Sequence, residues 1–131
     1  MKVLKIVSSL LLMFFTFLYI NYFTSFVMPW QENNAIECIQ LWGGLSHFPK
    51  DYKIISIRKY GSDFTRQYKI EFTSSENEIK KWILESKRLK NNRPKVKGLI
   101  REFKIYPGEL ESYGGEVKVQ GNKVSISMSW S

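Results

Sequence analysis

The chain has 131 residues, a formal net charge of +8 from 20 Lys and Arg against 12 Asp and Glu, 44% hydrophobic and 15% aromatic residues, one Cys and one His. At roughly 150 residues per domain this length allows one domain. A lone Cys excludes an internal disulfide framework, one Cys with one His excludes a four-ligand zinc site, and the charge and aromatic content exclude a low-complexity chain.

The apolar residues are unevenly spread. From Ile6 to Trp30 there is no charged residue, a stretch of about 25 positions where a bilayer requires about 20. Leu10 to Phe15 and Phe17 to Ile20 form its centre, and Phe23, Phe26, Val27 and Met28 continue it. The pattern predicts a transmembrane anchor over 1–30, in contact with the lipid bilayer through 6–30, and Pro29 and Trp30 suit its end. Asn21 has two readings: proximity to the outer interface, or contact with another transmembrane helix.

A cleaved signal peptide competes with a permanent anchor. Lys2 and Lys5 supply its basic start, but the apolar stretch exceeds the usual 7–15 residues and no A-x-A-like site follows. Cys38 lies too far past the stretch for a lipoprotein. No Lys or Arg follows the apolar run before Lys50, so the positive-inside bias puts the N-terminus in the cytoplasm. The expected location is the cytoplasmic membrane, single-pass, with the C-terminal domain periplasmic or extracellular.

Residues 31–51 read as a linker with a short helix. Ile36, Ile39 and Trp42 recur at helical spacing, Gly43-Gly44 stops the helix, and a loop with Pro49 follows. Residues 52–131 read as the exported domain. Tyr52–Tyr60 is strand-like through Ile54, Ile55 and Ile57, and Gly61-Ser62-Asp63 turns the chain. Phe64, Tyr68, Ile70 and Phe72 then alternate with polar residues, with Arg66 on their face, which makes a hairpin.

Ser75 and Glu78 form a capping box. Ile79, Trp82, Ile83 and Ser86 lie on one helical stripe, and the helix is expected to end near Leu89. Leu99–Tyr106 reads as a strand with Leu99, Phe103 and Ile105 on one face, and Glu116–Gln120 as a strand with Val117 and Val119 inward. Gly121-Asn122 is a hairpin signal. Val124, Ile126, Met128 and Trp130 alternate with Ser125, Ser127, Ser129 and Ser131. The fold class is α+β: a transmembrane helix, then a small antiparallel sheet with one helix packed across it, in the order ββαβββ.

Catalytic signatures are missing from the sequence. His47 sits in a loop with no Ser or Cys motif to activate, and Cys38 has no basic neighbour to lower its pKa. An intermolecular disulfide through Cys38 is the alternative to an inert thiol. Asp51 and Asp63 flank turns, and Glu109 and Glu111 share a Gly-flanked loop without forming a glycosidase or metal pattern. No phosphate-binding, dinucleotide, zinc-protease or nucleophile-elbow motif occurs. The reading is of a non-enzyme without cofactor or metal.

The most distinctive polar feature is basic. Between Lys80 and Lys104, ten Lys and Arg stand against Glu85 and Glu102. The candidate residues for binding an anionic surface are Lys80, Lys81, Lys87, Arg88, Lys90, Arg93, Lys95 and Lys97. One alternative is a solvated face of a Lys-rich chain; another is an acidic protein partner. Anionic lipid headgroups or other envelope polyanions are the remaining reading. Nucleic acid fits poorly, because few aromatics interleave to stack bases.

Phe48-Pro49 before a first strand, then Phe72-Thr73-Ser74-Ser75-Glu76 leading into a helix with Trp82-Ile83 and Ser86, resembles a group of small, uncharacterised bacterial envelope proteins. These are membrane-anchored with an α+β domain. The resemblance covers about a third of the chain and carries no functional residues with it. In size and architecture the chain is also similar to toxin-immunity proteins. The expectation is a non-catalytic binding module of the cell envelope; the alternative is an immunity-type inhibitor that neutralises a toxin at the membrane.

Overall fold

The structure is a computed structural model that describes residues 1–61 and 64–130. Helix α1 (Lys2–Phe23) is long and apolar enough to cross a membrane, and none of its residues is buried. Its 22 residues span about 33 Å at ~1.5 Å per residue.

The helix stops seven residues before Trp30. Thr24 turns to extended backbone, the Lys59 N–H donates to the Ser25 carbonyl at 2.9 Å, and Phe26 forms a single antiparallel bridge with Arg58. Val27 and Met28 are buried, and Pro29–Gln31 forms a 3-10 turn. The uncharged run thus serves two elements. Its last apolar residues belong to the domain, because β1 offers Ser25 and Phe26 an unpaired strand edge.

Helix α2 (Glu32–Gly43) follows at once. Ala35, Ile36, Ile39 and Trp42 are buried, so the segment read as a linker is part of the core. Gly44 ends the helix at φ 57, a left-handed conformation suited to glycine, and the Leu45 N–H closes the cap on the Gln40 carbonyl at 2.9 Å.

One antiparallel sheet contains β1 (Lys53–Gly61), β2 (Arg66–Thr73), β3 (Lys95–Lys97), β4 (Ile100–Ile105), β5 (Gly114–Gln120) and β6 (Lys123–Trp130), in the order β1-β2-β6-β5-β4-β3. The fold is α+β; α2 is the short helix expected within 31–51, and the short edge strand β3 adds to the expected ββαβββ order. Ser62 and Asp63 of the expected turn, and Ser131, lie outside the described residues.

The period-2 pattern sets the inner face. Ile70 and Phe72 of β2 stand beside Ile126 and Val124 of β6, which stand beside Val117 and Val119 of β5. All six are buried, as are Met128, Phe103 and Ile105. Each such side chain contributes roughly 1.5–3 kcal/mol relative to exposure. Helix α3 (Glu76–Glu85) lays Ile79, Trp82 and Ile83 on this core, and the Ser75 hydroxyl accepts from the Glu78 N–H at 3.4 Å. Phe48 packs on Phe72 and Trp82 with ring centroids at 4.6 and 6.3 Å.

Three local expectations change. Helix α3 ends at Glu85, short of Leu89. The buried Ser86 hydroxyl donates to the Trp82 carbonyl at 2.7 Å and accepts the Ser46 N–H at 3.0 Å, which draws the chain out of the helix; Leu89 still reaches the core from the turn that follows. Leu99 lies in the β3–β4 turn and is 82% exposed, because pairing of Lys97 with Ile100 uses residues 98–99 as the connection. Phe64 precedes β2 and is exposed instead of sharing its inner face.

Candidate functional site

The basic segment splits into committed and free charges. Arg88 is half-buried: one guanidinium nitrogen meets the Glu109 carboxylate at 3.2 Å, another donates to the Pro107 carbonyl at 2.7 Å, and its own N–H donates to the Gly44 carbonyl at 3.3 Å. It therefore fastens the β4–β5 connection to the end of α2. Lys87 reaches the same carboxylate at 3.4 Å. Hydrogen bonds from Arg88 first, then Lys87, hold the Glu109 carboxyl below the usual range.

Lys95 and Lys97 lie on β3, a three-residue edge strand exposed throughout. Lysines at an exposed edge discourage pairing with a foreign strand. Lys97 sits 3.9 Å from Glu102. Lys80 and Lys81 project from the exposed side of α3, and Lys90 and Arg93 are exposed on the turn that follows. Among the described residues, no carboxylate lies within 4.0 Å of Lys80, Lys81, Lys90, Arg93 or Lys95. The Asn92 amide bonds the Arg88 and Lys104 carbonyls at 3.2 and 2.8 Å, which holds this turn against β4.

The sheet face away from the helices is polar and open. Strand register sets Lys69, Ser127 and Glu116 in one row across β2, β6 and β5, and Glu71, Ser125 and Lys118 in another. These residues, with Gln67, Gln120, Lys123 and Tyr60, line an open groove of about 640 Å³. Glu71 pairs with Lys69 at 3.9 Å and with Lys123 at 3.5 Å, and Lys118 pairs with Glu116 at 3.8 Å. The Glu102 and Glu116 carboxyls hydrogen-bond each other, which lowers Glu102 and raises Glu116. The hydroxyl column of β6 is legible in the sequence; the Glu102–Glu116 contact is not, because it needs the β4–β5 register.

A second groove, of about 690 Å³, separates the end of α1 from the β1–β2 hairpin, with Asn21, Tyr22, Lys59 and Arg66 among its walls. The Lys59 ammonium donates to the Asn21 backbone carbonyl at 2.6 Å, to its side-chain carbonyl at 3.2 Å and to the Gln31 side-chain carbonyl at 3.5 Å. Partial burial pushes the Lys59 pKa down. The residue was invisible as a site in the sequence: a single Lys in a strand carries no local signal of what it will reach.

His47 is exposed in the α2–β1 loop. Cys38 is a free, half-buried thiol whose pKa burial pushes up, which disfavours the reactive thiolate. Asp51 accepts from the Ser74 hydroxyl and from the Ser75 N–H at 3.4 Å, extending the cap of α3. Glu111 is exposed, and Asp63 lies outside the described residues.

The fold defines an α+β protein whose sheet domain carries, directly on its β1 edge, one helix long and apolar enough to cross a membrane. Comparison with protein-family models, curated proteins and solved structures finds no match.

Proposed function

We propose that the protein is a single-pass, membrane-anchored binding module of the cell envelope, with its N-terminus in the cytoplasm and its domain outside. Its ligand is an anionic surface, and binding involves no catalysis. The observation that carries the reading is the set of five cations, Lys80, Lys81, Lys90, Arg93 and Lys95, with no carboxylate within 4.0 Å among the described residues. Cations without a carboxylate partner attract anionic headgroups by ~1 kcal/mol each when they lie near the surface. Lys2 and Lys5 at the start of α1 support the orientation.

The test uses the full chain in neutral nanodiscs, mixed with separate phosphatidylcholine vesicles with or without phosphatidylglycerol. Capture of only the anionic vesicles, weakening as salt rises, is expected. Equal capture of neutral vesicles would sink the reading. A reporter fused after Ser131 that is active in the cytoplasm would overturn the orientation.

A further inference from the structure

We propose that the domain is seated in the headgroup layer of the membrane through Trp30 and Phe26, with no free tether between it and the anchor. The inference rests on the reading that α1 spans a bilayer, and goes beyond it to the lipid-facing surface of the domain itself.

Residues 2–17 of α1 are exposed throughout, and partial burial begins at Leu18. Sixteen helical residues reach about 24 Å, short of a ~30 Å hydrocarbon core. The remaining turns of α1 are needed to complete the crossing, and those turns already carry the domain. Trp30 stacks on Phe17 with ring centroids 5.6 Å apart. The Gln31 amide nitrogen donates to the Asn21 side-chain carbonyl at 3.3 Å, and Lys59 holds the same residue. Because Trp30 stacks on Phe17, a crossing that extends past Phe17 brings Trp30 at least to the membrane interface.

The chemistry exposed there matches that depth. Trp30 is 63% exposed and Phe26 45%, and Tyr22 and Phe23 stand open beside them. Aromatic rings of this kind are favoured at the headgroup level. The groove alongside contains Arg66 near Asn21 and Tyr22, so a cationic group accompanies the aromatics. Such a setting suits lipid phosphates. The connection is also short and fastened: the Ser25 carbonyl is bonded by the Lys59 N–H two residues after α1 ends.

Site-directed spin labelling of the full chain tests this. In a Cys38→Ser background, Leu11→Cys, Phe26→Cys and Trp30→Cys are labelled singly and reconstituted into phosphatidylcholine vesicles. Collision with oxygen and with a water-soluble nickel chelate is then compared with the same label free in water. The label at 11 should favour oxygen strongly, and those at 26 and 30 should fall between it and the free label. Labels at both 26 and 30 as nickel-accessible as the free label, with 11 in lipid, would overturn the seating while leaving the anchor intact. A label at 11 that is also fully nickel-accessible would overturn the anchor itself.

Discussion

Lys59 grips Asn21 across the junction of helix and sheet: its ammonium donates to the backbone carbonyl at 2.6 Å and to the side-chain carbonyl at 3.2 Å. The first of these carbonyls lies near the C-terminal end of α1, where the last carbonyls lack helical partners. Asn21 is thus satisfied within the chain. Lys59→Met keeps the length and removes the donor. Hydrogen bonds to a charged group contribute roughly 1.5–3 kcal/mol, so the full chain in detergent should lose about 1–3 kcal/mol of unfolding free energy. An unchanged denaturation midpoint would show the grip to be unimportant.

Asp51 makes the start of α3 sensitive to acid. The Ser74 hydroxyl, followed by the Ser75 N–H, holds its carboxyl below the usual range against an opposing desolvation effect. A carboxyl depressed by folding stabilises above its unfolded pKa of roughly 4 and loses that stabilisation as pH falls through its lower folded value. Asp51→Asn should therefore flatten the acid side of the Tm-against-pH curve and lower Tm at neutral pH. Parallel curves for the two proteins below pH ~4 would contradict this.

Trp82 fills the space between α3, Phe48 and Phe72, and its indole N–H donates to the Ser46 carbonyl at 3.0 Å. Trp82→Phe removes the donor and leaves a void, at an expected cost of about 1–3 kcal/mol. Trp82→Ala should cost about 3–5 kcal/mol. Chemical denaturation measures both, and equal losses would mean that the ring's bulk contributes nothing.

Gly115 lies where β5 crosses β6 without room for a side chain: an added Cβ would stand 1.7 Å from the Ser127 carbonyl oxygen. The obstacle is backbone and cannot swing aside. Gly115→Ala should break the pairing with Met128 and speed amide exchange along both strands. Native exchange rates in the variant would refute the prediction.

Among the basic residues, two kinds of behaviour are expected. Replacing Lys80, Lys81, Lys90, Arg93 or Lys95 by Gln should weaken anionic-vesicle capture by ~1 kcal/mol each, close to fivefold, and leave Tm unchanged. Arg88→Gln should instead lower Tm, because it loosens the β4–β5 connection from α2. Identical effects at Arg88 and Lys90 would erase the division.

Much of the fold was legible because its signals are local. The alternation of Val124, Ile126 and Met128 with serines names the buried face of β6, and Ser75 with Glu78 marks the start of α3. Val27 and Met28 were not legible as domain residues, since burial in lipid and burial in a protein core select the same apolar side chains. The candidate basic residues were visible as a cluster, but not the commitment of Arg88 to Glu109, a partner 21 positions away.

The sequence by itself determined the apolar helix, the strand faces and the basic stretch, because periods of 2 and 3.6 residues and runs without charge act over a few neighbours. Only the tertiary structure decided where that helix stops and what its polar residue touches. Phe26 finds Arg58, and Asn21 finds Lys59 at a separation of 38 residues. The physical reason is pairing at a sheet edge, which exists only once the sheet has formed.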